Sequence, residues 1–320
     1  MTLPPFRPIE LPEIRAARER IKSTIIRTPL VRLELGPDFP EVRLKLENLQ
    51  PINAYKLRGA ANAVALLSEA ERARGVWTIS AGNAGQGVAY AARQAGVPCS
   101  VVAIETAPAA KLERMRALGA KLFLVPYEVA WQTLDDRAFP GIEGTFIHPF
   151  DDDHFIAGHG TMGLEILEDA PETATVLAAI GGGGLITGIG SALKALRPEI
   201  RVIGVEPETA APTAVSLAAG SPQKFPSWTA SFVDGAGGQS VFPRMWERMK
   251  PIIDDSLVVS LEETRHAMRI MAEKARIIAE GAGALPLAAV LSGKAKDGPI
   301  VCIVSGGNVD LKKFSELIEG

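Results

Sequence analysis

Short apolar runs alternate with longer stretches of helical period along most of the chain. Residues 42–46 alternate apolar and basic side chains as a half-buried strand does, and 76–79, 100–104, 121–125 and 145–148 read as further short strands. Helical patterns lie between them, at 53–67, after the turn 80–87 as far as Gln94, at 109–118 and at 128–138. The alternation resumes with a helix at 160–167, a β-branched strand at 175–180, a helix at 185–196 and a strand at 201–205. At the start, 12–24 predicts a helix that Thr28-Pro29 stops. Ser260-Leu261-Glu262-Glu263 is a capping box heading a long helix predicted to run to Ile278. Residues 300–304 form a buried strand, and an amphipathic helix closes the chain. Residues 207–256, rich in Pro, Gly and Ala, carry no period that assigns them. Strands separated by helices of about ten residues predict βαβ units and a mostly parallel sheet, so an α/β protein.

Composition narrows the class. A chain of 320 residues suggests two domains, or one core with a smaller lobe, and 47% hydrophobic residues is ample for a large core. A formal net charge of −3 with no basic cluster speaks against a nucleic-acid partner. Cys99 and Cys302 sit in apolar runs, as buried thiols do, and two cysteines define no disulfide framework. Residues 1–10 are proline-rich without an apolar signal core, and no apolar run approaches the ~20 residues that span a bilayer. The expectation is a soluble, cytoplasmic protein with no membrane partner. No internal repeat or low-complexity linker appears, so a second lobe would be inserted, and no appended regulatory domain is expected after Gly320.

The candidate chemistry lies in the turns. Gly181-Gly182-Gly183-Gly184 separates a strand from a helix, which lets several N–H groups converge at the positive end of a helix dipole. Such a turn is an anion cradle, and its usual anion is a phosphate monoester. No Gly-Lys-Ser/Thr follows, and Thr187 stands where a dinucleotide fingerprint needs its last glycine, so both nucleotide loops are disfavoured. Two more strand ends carry polar, glycine-spaced turns, at 80–87 and 305–308, and all three should face one crevice at the carboxyl ends of the strands. Lys56, at a helix start, can be aimed there as well. A lysine beside a phosphate cradle, with an asparagine and a serine as orienters, suggests a phosphate-bearing aldehyde held as a Schiff base.

Asn53-Ala54-Tyr55-Lys56-Leu57-Arg58-Gly59-Ala60, Ser80-Ala81-Gly82-Asn83, the four glycines and Ser305-Gly306-Gly307-Asn308 come in the order of the fold-type-II pyridoxal-phosphate enzymes. The chain most resembles their threonine/serine dehydratase and serine racemase branch, over nearly its whole length, with His148-Pro149-Phe150-Asp151-Asp152, Ala157-Gly158-His159-Gly160-Thr161 and Gly204-Val205-Glu206-Pro207 as further matches. The resemblance implies a tryptophan synthase β-like fold of two open, mostly parallel sheets. Residues 1–74 and 149–320 would form a large cofactor-binding lobe and 75–148 an inserted small lobe. It also implies pyridoxal 5'-phosphate as cofactor, a small amino-acid substrate and a homodimer. Lys56 would hold the cofactor's aldehyde and serve as base at Cα. Asn83 would meet the pyridine 3-hydroxyl, Ser305 the pyridine nitrogen, Tyr55 the cofactor ring, and Gly181, Gly182, Gly183 and Gly184 the phosphate. Ser80, Ala81, Gly82, Asn83 and Ala84 would hold the substrate carboxylate. A hydroxyl at the pyridine nitrogen leaves that nitrogen largely unprotonated, which favours β-elimination over a long-lived carbanion.

The departures from the family pattern bear on the reaction. Ala81 stands where the racemases carry a serine that acts as second base, so racemisation by two bases is disfavoured and elimination of the β-hydroxyl remains. The expected activity is a dehydratase or ammonia-lyase that turns a β-hydroxy-α-amino acid into a 2-keto acid and ammonia. An amino-acid racemase, a β-replacement enzyme and a non-catalytic pyridoxal-phosphate or amino-acid sensor are the alternatives. Ala84 replaces a histidine common in the dehydratases, and Asn53-Ala54-Tyr55 replaces the usual Gly-Ser-Phe. Both changes leave a larger or differently polar substrate open, such as a phenylserine or a 3-hydroxyaspartate. No metal is expected: Glu206 is present, but Pro212 stands in place of the second carboxylate of the family's cation site, and Glu280 can serve packing instead. His148, Asp152, His154 and His159 fit no standard ligand spacing. Arg58 and Tyr55 could reach substrate or simply pack the helix start.

Overall fold

The computed structural model describes residues 6–319; expectations touching residues 1–5 and Gly320 lie outside them. The first half of the chain runs through α1 (Leu11–Ile21), β1 (Leu30–Leu33), β2 (Val42–Leu46), α2 (Lys56–Ala65), α3 (Glu69–Arg74), β3 (Val76–Ile79), α4 (Asn83–Ala95), β4 (Cys99–Ile104), α5 (Ala109–Ala117), β5 (Lys121–Val125), α6 (Tyr127–Asp136) and β6 (Thr145–Phe146). The second half runs through α7 (Asp153–Asp169), β7 (Thr175–Ala179), α8 (Gly184–Leu196), β8 (Arg201–Pro207), α9 (Pro212–Ala219), α10 (Pro243–Met249), β9 (Asp255–Val259), α11 (Leu261–Ile270), α12 (Gly281–Leu291), β10 (Ile300–Val304) and α13 (Leu311–Glu319).

These elements build two sheets. A six-stranded sheet has the order β1-β2-β10-β7-β8-β9, and a four-stranded sheet the order β5-β4-β3-β6. Every pairing is parallel except β1 with β2. Parallel strands buried on both faces need apolar cover on both, and the central strands β7 and β10 are buried throughout. On one face of the six-stranded sheet, α11, α12 and α13 enclose a core that includes Leu44, Leu177, Leu285 and Phe314; on the other, α1, α7, α8 and α10 enclose Ile14, Ile156, Ile189 and Met245. The small sheet packs α2, α4 and α5 on one side, through Ala60, Val64, Val88 and Met115, and α6 on the other, through Ala130 and Leu134. Helix α2 therefore touches both halves. It lies so close to α7 that a Cβ on Gly158 would sit 2.3 Å from the Arg58 carbonyl oxygen.

The structure corrects several expectations drawn from pattern. The helix predicted to reach Ile278 ends as α-helix at Ile270, widens into one π turn at Met271–Ala275, and stops at Arg276, whose φ is 57°. The chain then turns back toward the crevice, where the Glu280 N–H donates to the Gly306 carbonyl at 3.0 Å. Helix α7 starts seven residues before the predicted 160, because the Asp152 carboxylate accepts from the Phe155 N–H at 2.8 Å and caps it. Helices α9 and α10 lie in the region left unassigned, β9 only begins at its end, and β1, α3 and α12 carry no clear pattern of their own. Both cysteines are free and buried, and burial pushes the Cys99 thiol up to about 12. Among the described residues no helix is long and apolar enough to cross a membrane.

Candidate active site

Strands β3, β7 and β10 all release the chain at their carboxyl ends into one cleft between the two sheets. The loop that carries Lys56 is tied to the turn after β10. The Tyr55 N–H donates to the Ser305 carbonyl at 2.9 Å, the Gly307 N–H donates to the Asn53 carbonyl at 2.9 Å, and Ala54 bridges Gly306. Asn53 takes φ 56°, a left-handed turn that asparagine tolerates, and this points the following residues into the cleft. Lys56 is the first residue of α2. Its Nζ donates to the Pro149 carbonyl at 2.5 Å and lies 5.1 Å and 5.3 Å from the ring centroids of Tyr55 and Phe155. No carboxylate pairs with it among the described residues, and burial lowers its pKa to about 7.

The glycine tetrad opens α8. A Cβ on Gly182 would fall 2.3 Å from Cγ of Phe150, one on Gly181 would fall 2.8 Å from the Gly235 carbonyl oxygen, and Gly183 takes φ +85°. Bare backbone is thus a steric requirement at this turn. Among the described residues no main-chain acceptor meets the N–H groups of Gly181–Gly184. Four amides at the positive end of a 13-residue helix are an anion cradle by construction.

Asn83 heads α4 and is held on both sides of its amide. Its Nδ2 donates to Glu280 Oε1 at 2.7 Å, and its Oδ1 accepts from Asn308 Nδ2 at 2.8 Å. Asn308 in turn accepts from Arg114 at 2.5 Å. Burial raises the Glu280 carboxyl to about 7, the charge of Asp234 adds to the rise, and the Asn83 hydrogen bond opposes it. Ser80 Oγ accepts from the Gly82 N–H at 3.1 Å and shapes the turn into α4. Ser305 is buried at the end of β10, six residues before α13, too far to cap that helix.

The cleft encloses a cavity of about 570 Å³. Lys56, Tyr55, Asn83, Ser305, Gly181, Gly182, Gly183, Gly184, Ser80, Ala81, Gly82 and Ala84 all line it, so the residues expected to hold cofactor and substrate carboxylate meet in one place. Lining it as well are residues that sequence reasoning did not single out, Lys111, Trp131, Phe150 and Asp234 among them. Lys111 and Asp234 form an ion pair at 2.5 Å across 123 residues, and no local signal announces such a contact. Arg58 does not reach the cavity: it is fully buried between Glu47 and Glu165.

The other candidate ligands are separated. His148 Nδ1 accepts from the Asp151 N–H at 2.9 Å, Asp152 caps α7, and His159 lies between the rings of Tyr55 and Phe155 at 4.7 Å and 4.9 Å. Glu206 spends both oxygens on the Thr213 and Ala214 N–H groups at the head of α9 and accepts from Ser256 Oγ, each at 2.8 Å. No group of three or more His, Cys, Asp or Glu residues among those described could hold a metal ion.

A partly buried amine of lowered pKa, an amide-lined anion cradle, an oriented carboxamide and a buried hydroxyl in one cavity fit a phosphorylated aldehyde with a hydroxypyridine ring. The family described as pyridoxal-phosphate dependent enzyme matches residues 21–306, and the chain belongs to it. Its fold is that of the fold-type-II members, with pyridoxal phosphate as cofactor. Among curated proteins, it is 37% identical to L-threonine ammonia-lyase of Thermotoga maritima over 97% of this chain and 78% of that one. It is 39% identical to the catabolic L-threonine dehydratase TdcB of Staphylococcus aureus over 97% and 92%. Among solved structures, maize serine racemase is 32% identical, superposes with a TM-score of 0.88 and covers 98% of each chain.

Proposed function

We propose that the protein removes the β-hydroxyl and the amino group of a β-hydroxy-α-amino acid of the serine/threonine kind, releasing a 2-oxo acid and ammonia. Phenylserine and 3-hydroxyaspartate are larger members of the same substrate class. The observation that carries this reading is Lys56: a partly buried amine with no carboxylate partner, lowered to about 7, in the same cavity as the glycine cradle. The names of the similar lyases support it.

When bound, pyridoxal phosphate supplies an aldehyde for the substrate amine and a conjugated ring that accepts electron density from Cα. The glycine tetrad is suited to its phosphate, Asn83 to the ring oxygen, Ser305 to the ring nitrogen, and Tyr55 to packing beside the ring. The N-terminus of α4, with Ser80, Ala81, Gly82 and Ala84 around Asn83, offers backbone donors to the substrate carboxylate and so fixes Cα. Lys56 Nζ, neutral in part near pH 7, takes the proton from Cα. The Cβ–O bond then breaks and the hydroxyl departs with a proton as water. The enamine so released gains a proton at Cβ from solvent and becomes an imine, water adds at Cα, and ammonia leaves. Ala81 carries only a methyl, so no side chain at that position returns a proton from the opposite face. We infer further that residues 75–148 act as a lobe that closes on substrate against 1–74 and 149–320.

The test incubates the holoenzyme with single enantiomers of serine, threonine, phenylserine and 3-hydroxyaspartate and follows ammonia, 2-oxo acid and optical rotation. Ammonia matched by 2-oxo acid is expected, and Lys56→Ala should abolish it along with the visible absorbance of the bound cofactor. Loss of rotation without ammonia would establish a racemase in its place.

A further inference from the structure

We propose that the side-chain end of this cavity selects a β-hydroxy-α-amino acid whose Cβ carries a large apolar group, aryl or branched alkyl, over both threonine and acidic substrates. The inference rests on the lyase reading above and adds the class of group the substrate bears at Cβ.

The geometry assigns two ends of the substrate first, its amine toward Lys56 and its carboxylate toward the head of α4. The cavity does not stop there. It includes an apolar annex walled by Val102, Ile104, Ala130, Trp131, Leu134 and Phe150, residues that pack together on the α6 side of the small sheet. Two small residues, Ala81 and Ala84, also line the cavity beside the carboxylate turn, so no long side chain on that turn closes the way. The annex is already formed. The Trp131 ring stacks on Phe242 at 5.9 Å and 17°, Phe150 packs on Phe242 at 5.3 Å, and the Tyr127 hydroxyl accepts from Gln239 Nε2 at 3.0 Å. These contacts join α6 to the segment around α10, so the aromatic wall needs no ligand to assemble. Walls of this kind gain by excluding water from an apolar group that reaches them, and a methyl group is too short to fill them.

Charge excludes the acidic alternative. Among the described residues, the basic side chains lining the cavity are Lys56 and Lys111. Lys56 is committed to the amine chemistry, and Lys111 is paired with Asp234. A second carboxylate on the substrate would face Asp234 and Glu280 with no unpaired cation to receive it.

The experiment measures kcat/KM for ammonia release by the holoenzyme from each stereoisomer of phenylserine, threonine and 3-hydroxyaspartate. It also measures competition by phenylalanine, alanine and aspartate, which lack the β-hydroxyl. The best phenylserine isomer should exceed threonine by about 10- to 100-fold, the usual reach of apolar discrimination, and phenylalanine should compete about tenfold more tightly than alanine or aspartate. Trp131→Ala and Ala84→Leu should each lower the phenylserine-to-threonine ratio about tenfold, with far-ultraviolet circular dichroism verifying the fold. Threonine or 3-hydroxyaspartate preferred over phenylserine, with phenylalanine no tighter than alanine, overturns the inference and leaves the lyase reading standing. Tight phenylalanine binding without ammonia from any substrate sustains the annex and overturns the lyase reading.

Discussion

Lys56 and Arg58 stand two residues apart at the head of α2, Lys56 partly and Arg58 fully buried, and their surroundings treat them in opposite ways. Arg58 donates to both oxygens of Glu47 at 2.8 Å, to the two oxygens of Glu165 at 2.7 Å and 2.8 Å, and to Thr161 Oγ1 at 3.0 Å. Lys45 adds a bond to Glu165 at 2.6 Å, and Thr28 Oγ1 donates to Glu47 at 2.6 Å. Burial opposes the Arg58 charge, but the two carboxylates raise its pKa above the ordinary value. Burial likewise pushes Glu47 up, and the charge and hydrogen bonds of Arg58, with the Thr28 hydrogen bond and the Lys45 charge, together more than reverse this. Lys56 has the burial without the carboxylates, so desolvation alone decides and its pKa falls to about 7. One helix start thus holds a permanent cation that anchors structure and an amine that can lose its proton. Pairing separates the two, for the more deeply buried Arg58 is the one that keeps its charge.

The contrast breaks most sharply at Lys56. Lys56→Ala should lower ammonia release by at least about a thousandfold, because the amine is both the covalent attachment point and the base, while it strands no buried carboxylate. Arg58→Met should do the reverse. It strands Glu47 and leaves Glu165 to Lys45 alone, and should cost about 3–5 kcal/mol of stability, read as a lower urea midpoint. Adding Glu47→Gln to that variant should recover part of the loss. Turnover per bound cofactor in the fraction of Arg58→Met that remains folded should stay within a few-fold of the parent.

Much of this was readable in the chain. The buried strands 76–79 and 300–304 and the glycine turn after 175–180 announce themselves, since a parallel strand is an unbroken apolar run and its carboxyl end must turn through polar, small residues. Lys56, Asn83, Ser305 and the tetrad follow from those turns, because the topology gathers strand ends into one cleft. Other features had no signal to give. Helix α12 is apolar on every side and holds Pro286, so no amphipathic period marks it. The π turn at Met271–Ala275 continues a helical pattern that the backbone abandons. The partner of Asn83 is Glu280, 197 residues away, and that contact depends on the fold as a whole. Arg58 looked equally suited to substrate or to packing, because its carboxylate partners lie on other elements.

The pH dependence of stability sharpens the comparison, with Glu280 as the acidic counterpart of Lys56. In the cofactor-free protein the folded Lys56 titrates near 7 against an ordinary value of 10.5, so the unfolded chain holds the extra proton between those values and stability rises with pH across that window. Glu280 has the opposite sign. Its folded pKa of about 7 lies above the ordinary 4.5, so the folded state holds the proton there and stability falls as pH rises from 4.5 to 7. Lys56→Met should remove the rise on the alkaline side and Glu280→Gln the fall on the acid side. Urea midpoints at about pH 5, 7 and 9 separate the two, since each variant should flatten one limb. A flattening of both limbs by either variant would mean that the two groups titrate as a coupled pair.

The smallest effect should come from the Lys111–Asp234 pair at the cavity, and its sign is the informative part. Asp234 is 60% exposed, so the pair should contribute under about 1 kcal/mol, and salt should weaken it further. Its charges nevertheless act on Glu280 in opposite directions, Asp234 raising that carboxyl and Lys111 lowering it. Lys111→Met should therefore push the Glu280 titration above 7 and carry the associated limb of the pH–activity profile to higher pH. Asp234→Asn should move the same limb to lower pH. Opposite shifts of equal fold stability identify an electrostatic influence on a buried acid, whereas shifts in one direction would trace to a rearranged cleft. Repeating both profiles at high salt should shrink the Asp234→Asn displacement more than the Lys111→Met one, because Asp234 is the more exposed of the two charges.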